Sequence, residues 1–121
     1  MELVWIGKTV STNRRNMTRC VRGKAMVYQG KDYRAFKTGM ITAFRKQNNQ
    51  PTISGLCDMS LTLSLWKVKD TDGPVKAIMD ALEGAGVVRN DKLIRHISIS
   101  RSYHTKNEND IVSVKLNVVS D

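Results

Sequence analysis

Cysteine is nearly absent from this 121-residue sequence; Cys20 and Cys57 stand far apart in no paired spacing. Neither a disulfide framework nor a zinc site is suggested. No apolar run approaches the roughly 18 residues a membrane-spanning helix needs. The opening MELVWIG is a short apolar stretch with an early acid, unlike the basic-then-apolar pattern of a secretory leader. A cytoplasmic chain with reduced thiols is expected. Aromatic residues are scarce at 6%, and Trp5, Tyr28, Tyr33, Trp66 and Tyr103 do not form the dense pattern of a base-stacking platform. No glycine loop has a nucleotide-binding pattern and no Ser-His-Asp or Cys-His spacing stands out. His96 and His104 fall in or beside strand-like segments, where a lone histidine is more often packed or surface-exposed than catalytic.

Negative charge is also scarce: 11 acids face 20 Lys and Arg, for a net charge of +9. Residues 1–46 carry Lys8, Arg14, Arg15, Arg19, Arg22, Lys24, Lys31, Arg34, Lys37, Arg45 and Lys46 against only Glu2 and Asp32. Such a one-sided field suits a protein that meets phosphates, because neutralising them releases counterions. A solvated basic surface without a partner is the plainer alternative. By size, residues 1–121 form a single domain with a modest core, near the lower end for a stable monomer, so dimerisation is a live option.

What is present is a pattern of strands and two helices. LVWIG (3–7) reads as a strand. Residues 8–24 lack periodicity and are rich in Thr, Asn and Arg, which predicts a long basic loop. From Asp32 to about Lys46, Tyr33, Phe36, Met40, Ile41 and Phe44 recur at helical spacing with bases opposite. From about Thr52 to Val68, Leu61, Leu63 and Leu65 alternate with Ser60, Thr62, Ser64 and Trp66, the mark of a half-buried strand. A second helix places Val75, Ile78, Met79 and Leu82 on one side, with Asp72 or Gly73 as its cap, Pro74 in its first turn, and Gly84 and Gly86 at its end. Strands at 93–100 and 111–119 follow, with the polar stretch 102–110 as a hairpin loop between them. The order βαβαββ gives an α+β fold, a mixed β-sheet with two helices.

Five of the 11 acids, Asp70, Asp72, Asp80, Glu83 and Asp91, crowd into residues 69–91. In a chain built to meet a polyanion they should repel it. Residues at i and i+2 of an extended chain lie on the same side, so Asp70 and Asp72 can converge. Asp91 follows the helix and would return to the same end of the sheet after an antiparallel excursion. Three hard oxygen donors suit Mg²⁺ or Mn²⁺, which a few carboxylates hold together with water and substrate phosphate. A divalent ion would turn the acidic patch from a repeller into a bridge to phosphate. Lys76, four residues after Asp72, could stabilise charge developing on the phosphate or help position water. Each piece also has a structural reading: Asp72 as helix cap, Lys76 paired with Asp72 or Asp80, Asp91 as a turn residue, Asp80 and Glu83 as helix-surface charges.

Taken together, DTDGPVKAIMDALEGAGVVRND (70–91) resembles the signature of the RusA family of Holliday-junction resolvases. That family opens with Asp-x-Asp-Asn, places a Lys four residues after the second Asp, then a D-A-L run, a small-Gly turn and a final Asp pair. Asp70, Asp72, Lys76, Asp80-Ala81-Leu82, Gly86 and Asp91 match in place. Ser11-Thr12-Asn13 resembles the family's N-terminal Ser-x-Asn, and Asp32-Tyr33-Arg34 its helix opening. The resemblance implies a Mg²⁺-dependent homodimeric endodeoxyribonuclease that resolves four-way DNA junctions by paired symmetric nicks. Asp70, Asp72 and Asp91 would bind metal, with Mn²⁺ as a substitute, and Lys76 would join them as catalytic. Asn13, Arg14, Arg15, Arg19, Lys24, Lys67 and Lys69 are the candidate DNA contacts. Gly73 stands where the family has Asn, Asn90 replaces the first of the Asp pair, and no Pro precedes Ser11. These departures keep open a second expectation, a junction-binding dimer of the same fold with weak or lost catalysis. A basic RNA-binding protein would explain the charge but leave the three Asp residues without a purpose.

Overall fold

The computed structural model describes residues 1–10, 16–21, 24–66 and 74–119. The elements run β1 (Glu2–Gly7), β2 (Asn16–Val21), β3 (Lys24–Gln29), α1 (Lys31–Gln47), β4 (Cys57–Trp66), α2 (Val75–Gly84), a 3-10 turn (Asp91–Leu93), β5 (Ile94–His104) and β6 (Asp110–Val118). Four strands form one mixed sheet in the order β1-β6-β4-β5, and β2 and β3 form a separate two-stranded sheet. Two helices on a mixed sheet make this the expected α+β fold, and the main sheet follows the expected βαβαββ order.

Alternation decides which face of the sheet is buried. Met59, Leu61, Leu63 and Leu65 of β4 point to one side, level with Val112, Val114 and Leu116 of β6, and all are buried. Helix α1 brings Tyr33, Phe36, Met40 and Phe44 onto that side, and α2 brings Ala77, Ile78, Ala81 and Leu82. Each leucine-sized side chain so buried stabilises the fold by about 1.5–3 kcal/mol. A close approach is needed at Gly7: the Trp5 ring lies over Gly7 and beside Gly39, so a Cβ at Gly7 would collide with it. The same ring stands 5.0 Å from Phe36 at a tilt. Helix α1 has no side-chain cap, but Asp32 in its first turn and Arg45 and Lys46 in its last suit the helix dipole.

Three expectations are corrected. The predicted basic loop 8–24 contains strand β2, which pairs antiparallel with β3 through Met17↔Tyr28 and Arg19↔Met26. Its Arg and Thr content hid a strand whose pairing supplies the order that periodicity did not show. Second, residues 102–110 are no hairpin loop. Strand β5 runs on to His104 and pairs parallel with β4, while β6 inserts between β4 and β1. Parallel strands need a crossover, which α2 supplies. Third, the helix α2 cap position falls on Pro74, with no side-chain hydrogen bond, rather than on Asp72 or Gly73.

Candidate functional site

Helix α2 buries Ala77, Ile78, Ala81 and Leu82, and at 3.6 residues per turn this leaves Lys76, Asp80 and Glu83 along its other flank. The chain then leaves the helix through Gly86, whose φ of +74° closes the end, with the Gly86 N–H donating to Glu83 O and the Val87 N–H to Leu82 O. The following segment is pinned to residues 52–53. Thr52 Oγ1 donates to Gly86 O at 2.7 Å, the Ile53 N–H to Val87 O and the Arg89 N–H to Ile53 O. Asn90 caps the 3-10 turn by accepting the Lys92 N–H at 2.9 Å. These restraints deliver Asp91 to the flank of α2.

There the Lys76 ammonium lies 3.0 Å from Asp80 Oδ1 and 3.3 Å from Asp91 Oδ2. The Asp91 N–H donates to Glu83 Oε1 at 3.3 Å. Lys76 keeps its proton more firmly than an ordinary lysine, chiefly because of the hydrogen bond to Asp80 and next that to Asp91. It is a fixed cation near neutral pH, suited to offsetting anionic charge and unsuited to accepting a proton. Asp80 and Asp91 remain partly open, at 26% and 22% side-chain exposure, so their hard oxygens are within reach of a small cation.

Of the predicted site residues, Lys76 and Asp91 are brought together. Asp70 and Asp72 fall in residues 67–73, outside the described residues, as do Lys67 and Lys69. Among the described residues no three acid, His or Cys side chains form a metal-binding group. The antiparallel return expected for Asp91 is corrected: β5 is parallel to β4, with Ile94 level with Cys57 at the start of β4. Asp91 therefore precedes the end of β5 beside Cys57, at the other end of the strand pair from Trp66. Asn13, Arg14 and Arg15 also lie outside the described residues, while Arg19 and Lys24 occupy hairpin positions opposite Met26 and Val21.

Sequence reading missed two groups. Glu83, read as a surface charge, holds the Asp91 backbone; its i+3 spacing from Asp80 gave no sign of this. Asp110, read as a loop residue, is fully buried. Its Oδ2 accepts the Thr9 N–H at 2.9 Å and the Thr9 hydroxyl at 2.7 Å, and its Oδ1 accepts the Trp66 N–H at 2.7 Å. One carboxylate thus clips the exit of β1 to the end of β4. In the sequence Asn13, Arg14 and Arg15 follow Thr9, and Asp70 and Asp72 follow Trp66. His104 sits level with Trp66 on β5, with both ring nitrogens enclosed and without hydrogen-bond partners among the described residues.

The sequence profile described as Endodeoxyribonuclease RusA matches residues 7–116, nearly the whole chain. Among curated proteins none matches.

Proposed function

We propose that this chain, which belongs to the RusA family of endodeoxyribonucleases, is a Mg²⁺-dependent, structure-selective nuclease that resolves four-way DNA junctions by paired symmetric nicks. The observation that carries the reading is the contact between Lys76 and Asp91. Two residues 15 positions apart, matched independently to the family motif, meet at 3.3 Å. Asp72 is four residues along the chain from Lys76, and Asp70 two further. Asp70, Asp72 and Asp91 would hold the metal, and the hard, solvent-reachable oxygens at Asp91 suit Mg²⁺ or Mn²⁺. When bound, the ion supplies Lewis-acid activation of water and of the scissile phosphate.

The chain's own residues do the rest. Lys76, held protonated by Asp80 and Asp91, offers a fixed positive charge where the phosphorane-like charge builds up. Glu83 and Asn90 hold the turn that presents Asp91. Asn13 and the basic residues Arg14, Arg15, Arg19 and Lys24, with Lys67 and Lys69, would deliver the DNA backbone to the acids. Asn90, which stands where the family has an Asp, caps the turn through its side-chain oxygen, as an Asp would. That departure removes a charge and keeps the scaffold.

The deciding experiment compares a synthetic four-way junction with linear duplex, in Mg²⁺ or EDTA, for wild type, Asp72→Asn and Asp91→Asn. Symmetric Mg²⁺-dependent nicking, lost in both variants while junction binding persists, is expected. Wild-type nicking rates in both variants would sink the site assignment, and tight junction binding by a wild type that never nicks would establish the binding-only dimer.

A further inference from the structure

The two edges of the main sheet are treated differently. On the β1 edge, Gln47 at the end of α1 reaches over and closes the middle of the strand: its Oε1 accepts the Val4 N–H at 2.8 Å and its Nε2 donates to Val4 O at 2.6 Å. A side-chain amide that mimics a strand in this way prevents another chain from pairing there. On the other edge β5 is open. Among the described residues it is hydrogen-bonded on one side only, to β4. It is 11 residues long and exposed from Arg95 to Tyr103.

The exposed face of β5 is also apolar where it should be covered. Ile97, Ile99, Arg101 and Tyr103 are level with Met59, Leu61, Leu63 and Leu65 and continue the buried side of the sheet, yet the three apolar ones are 39%, 39% and 44% exposed. A long, open edge strand with an apolar stripe is a template for another strand.

We infer that β5 is the dimer edge, pairing antiparallel with β5 of a second copy about a two-fold axis that passes beside Ile99. This rests on the reading of the chain as a symmetric junction nuclease and names its partner surface. The register follows from the strand itself. A two-fold axis perpendicular to the sheet keeps each residue on its own face, and pairing the whole of Ile94–His104 with its copy centres the axis on Ile99. Ile99 then meets Ile99, Ile97 meets Arg101, and Arg95 meets Tyr103. No like charges face each other, whereas a two-residue slip centred on Ser98 would set Arg95 against Arg101. The result is an eight-stranded sheet with both helix layers on one side and a Gln47-closed β1 at each end. An isologous contact between two such edges closes at the dimer and does not propagate into fibres.

The test uses the full chain in sedimentation velocity at several concentrations, with Ile99→Lys, and disulfide trapping of Ile99→Cys and Ile97→Cys in a Cys20→Ser background. A wild-type dimer is expected, with Ile99→Lys raising its dissociation constant by about thirtyfold or more. Oxidation should trap Ile99→Cys quickly and Ile97→Cys hardly at all, since the two copies of residue 97 are offset by about 13 Å along the strands. Should Ile99→Lys fail to fold, the trapping pair decides. A monomeric wild type, a dimer indifferent to Ile99→Lys, or equal trapping at both positions would overturn the inference. Mg²⁺-dependent nicking by wild type under those same outcomes would leave the nuclease reading standing.

Discussion

Replacing Asp110 should damage both the fold and DNA processing, although the residue lies outside the acid cluster of α2. Its carboxylate accepts two backbone N–H groups, of Thr9 and Trp66, and the Thr9 hydroxyl, at 2.7–2.9 Å. Asp110→Ala strands the two backbone donors in a part-buried setting, at about 1–3 kcal/mol each. Some of this is offset because a carboxylate no longer has to be desolvated. A net loss of about 3 kcal/mol corresponds, for a chain of this length, to a fall in Tm of about 9–15 °C. Asp110→Asn keeps one acceptor oxygen but turns an N–H toward a donor, and should fall between wild type and Ala. Urea unfolding monitored by circular dichroism gives the stability. Junction affinity and nicking rate, measured well below the variant's Tm, test whether the β1 and β4 exits must be clipped together. Stability of Asp110→Ala within about 1 kcal/mol of wild type would refute the hydrogen-bond accounting. A destabilised variant that still binds and nicks normally would refute the positioning role.

Gly86→Ala should cost about 1–2 kcal/mol from backbone strain alone, because φ is +74° and the nearest atom to an added Cβ is Thr52 Oγ1 at 4.0 Å; Gly86→Asn should cost less, and an unchanged urea midpoint for Gly86→Ala would contradict this. In an NMR titration the Lys76 side chain should show a midpoint above the ordinary value of about 10.4, lowered more by Asp80→Asn than by Asp91→Asn. Because the folded-state value is raised, the stability that the Lys76 pairing contributes is complete below about pH 10.4 and is lost as pH rises through the folded value; a stability gap between wild type and Lys76→Met that changes between about pH 6 and 9 would contradict this sign. Cys57 is buried, and burial, followed by the nearby Asp58 charge, pushes its thiol up from the ordinary value. In a Cys20→Ser background its reaction with a disulfide reagent should be about a thousandfold or more slower than in denaturant, and rapid native-state labelling would show that the β4 core opens locally.

Much of the fold was legible because burial writes a period into the chain. Tyr33, Phe36, Met40 and Phe44 announced α1, and Leu61, Leu63 and Leu65 announced β4, since a side chain's direction follows from local geometry alone. The motif spacing from Asp70 to Asp91 was legible for a related reason, as it lies along one short stretch of chain. Strand β2 was not, because its Thr and Arg residues carry no clear alternation and its order comes from β3. The hairpin expected between β5 and β6 failed at a different level: both strands were present, but no local signal reports which strands become neighbours.

The amino-acid sequence alone thus determined the types of the two helices and of the four main-sheet strands, the α+β class, the buried faces of α1, β4 and α2, the basic field and the candidate acids, all consequences of local periodicity and composition. Only the tertiary structure decided that β6 inserts between β1 and β4, that Lys76 holds Asp80 and Asp91 at once, that Asp110 clips Thr9 to Trp66, and that among the described residues β5 is paired on one side only while Gln47 closes β1. Each of these is a contact between residues far apart in the chain or a matter of which strand lies beside which. Such pairings are chosen by how all the buried faces pack together, and no single segment encodes them.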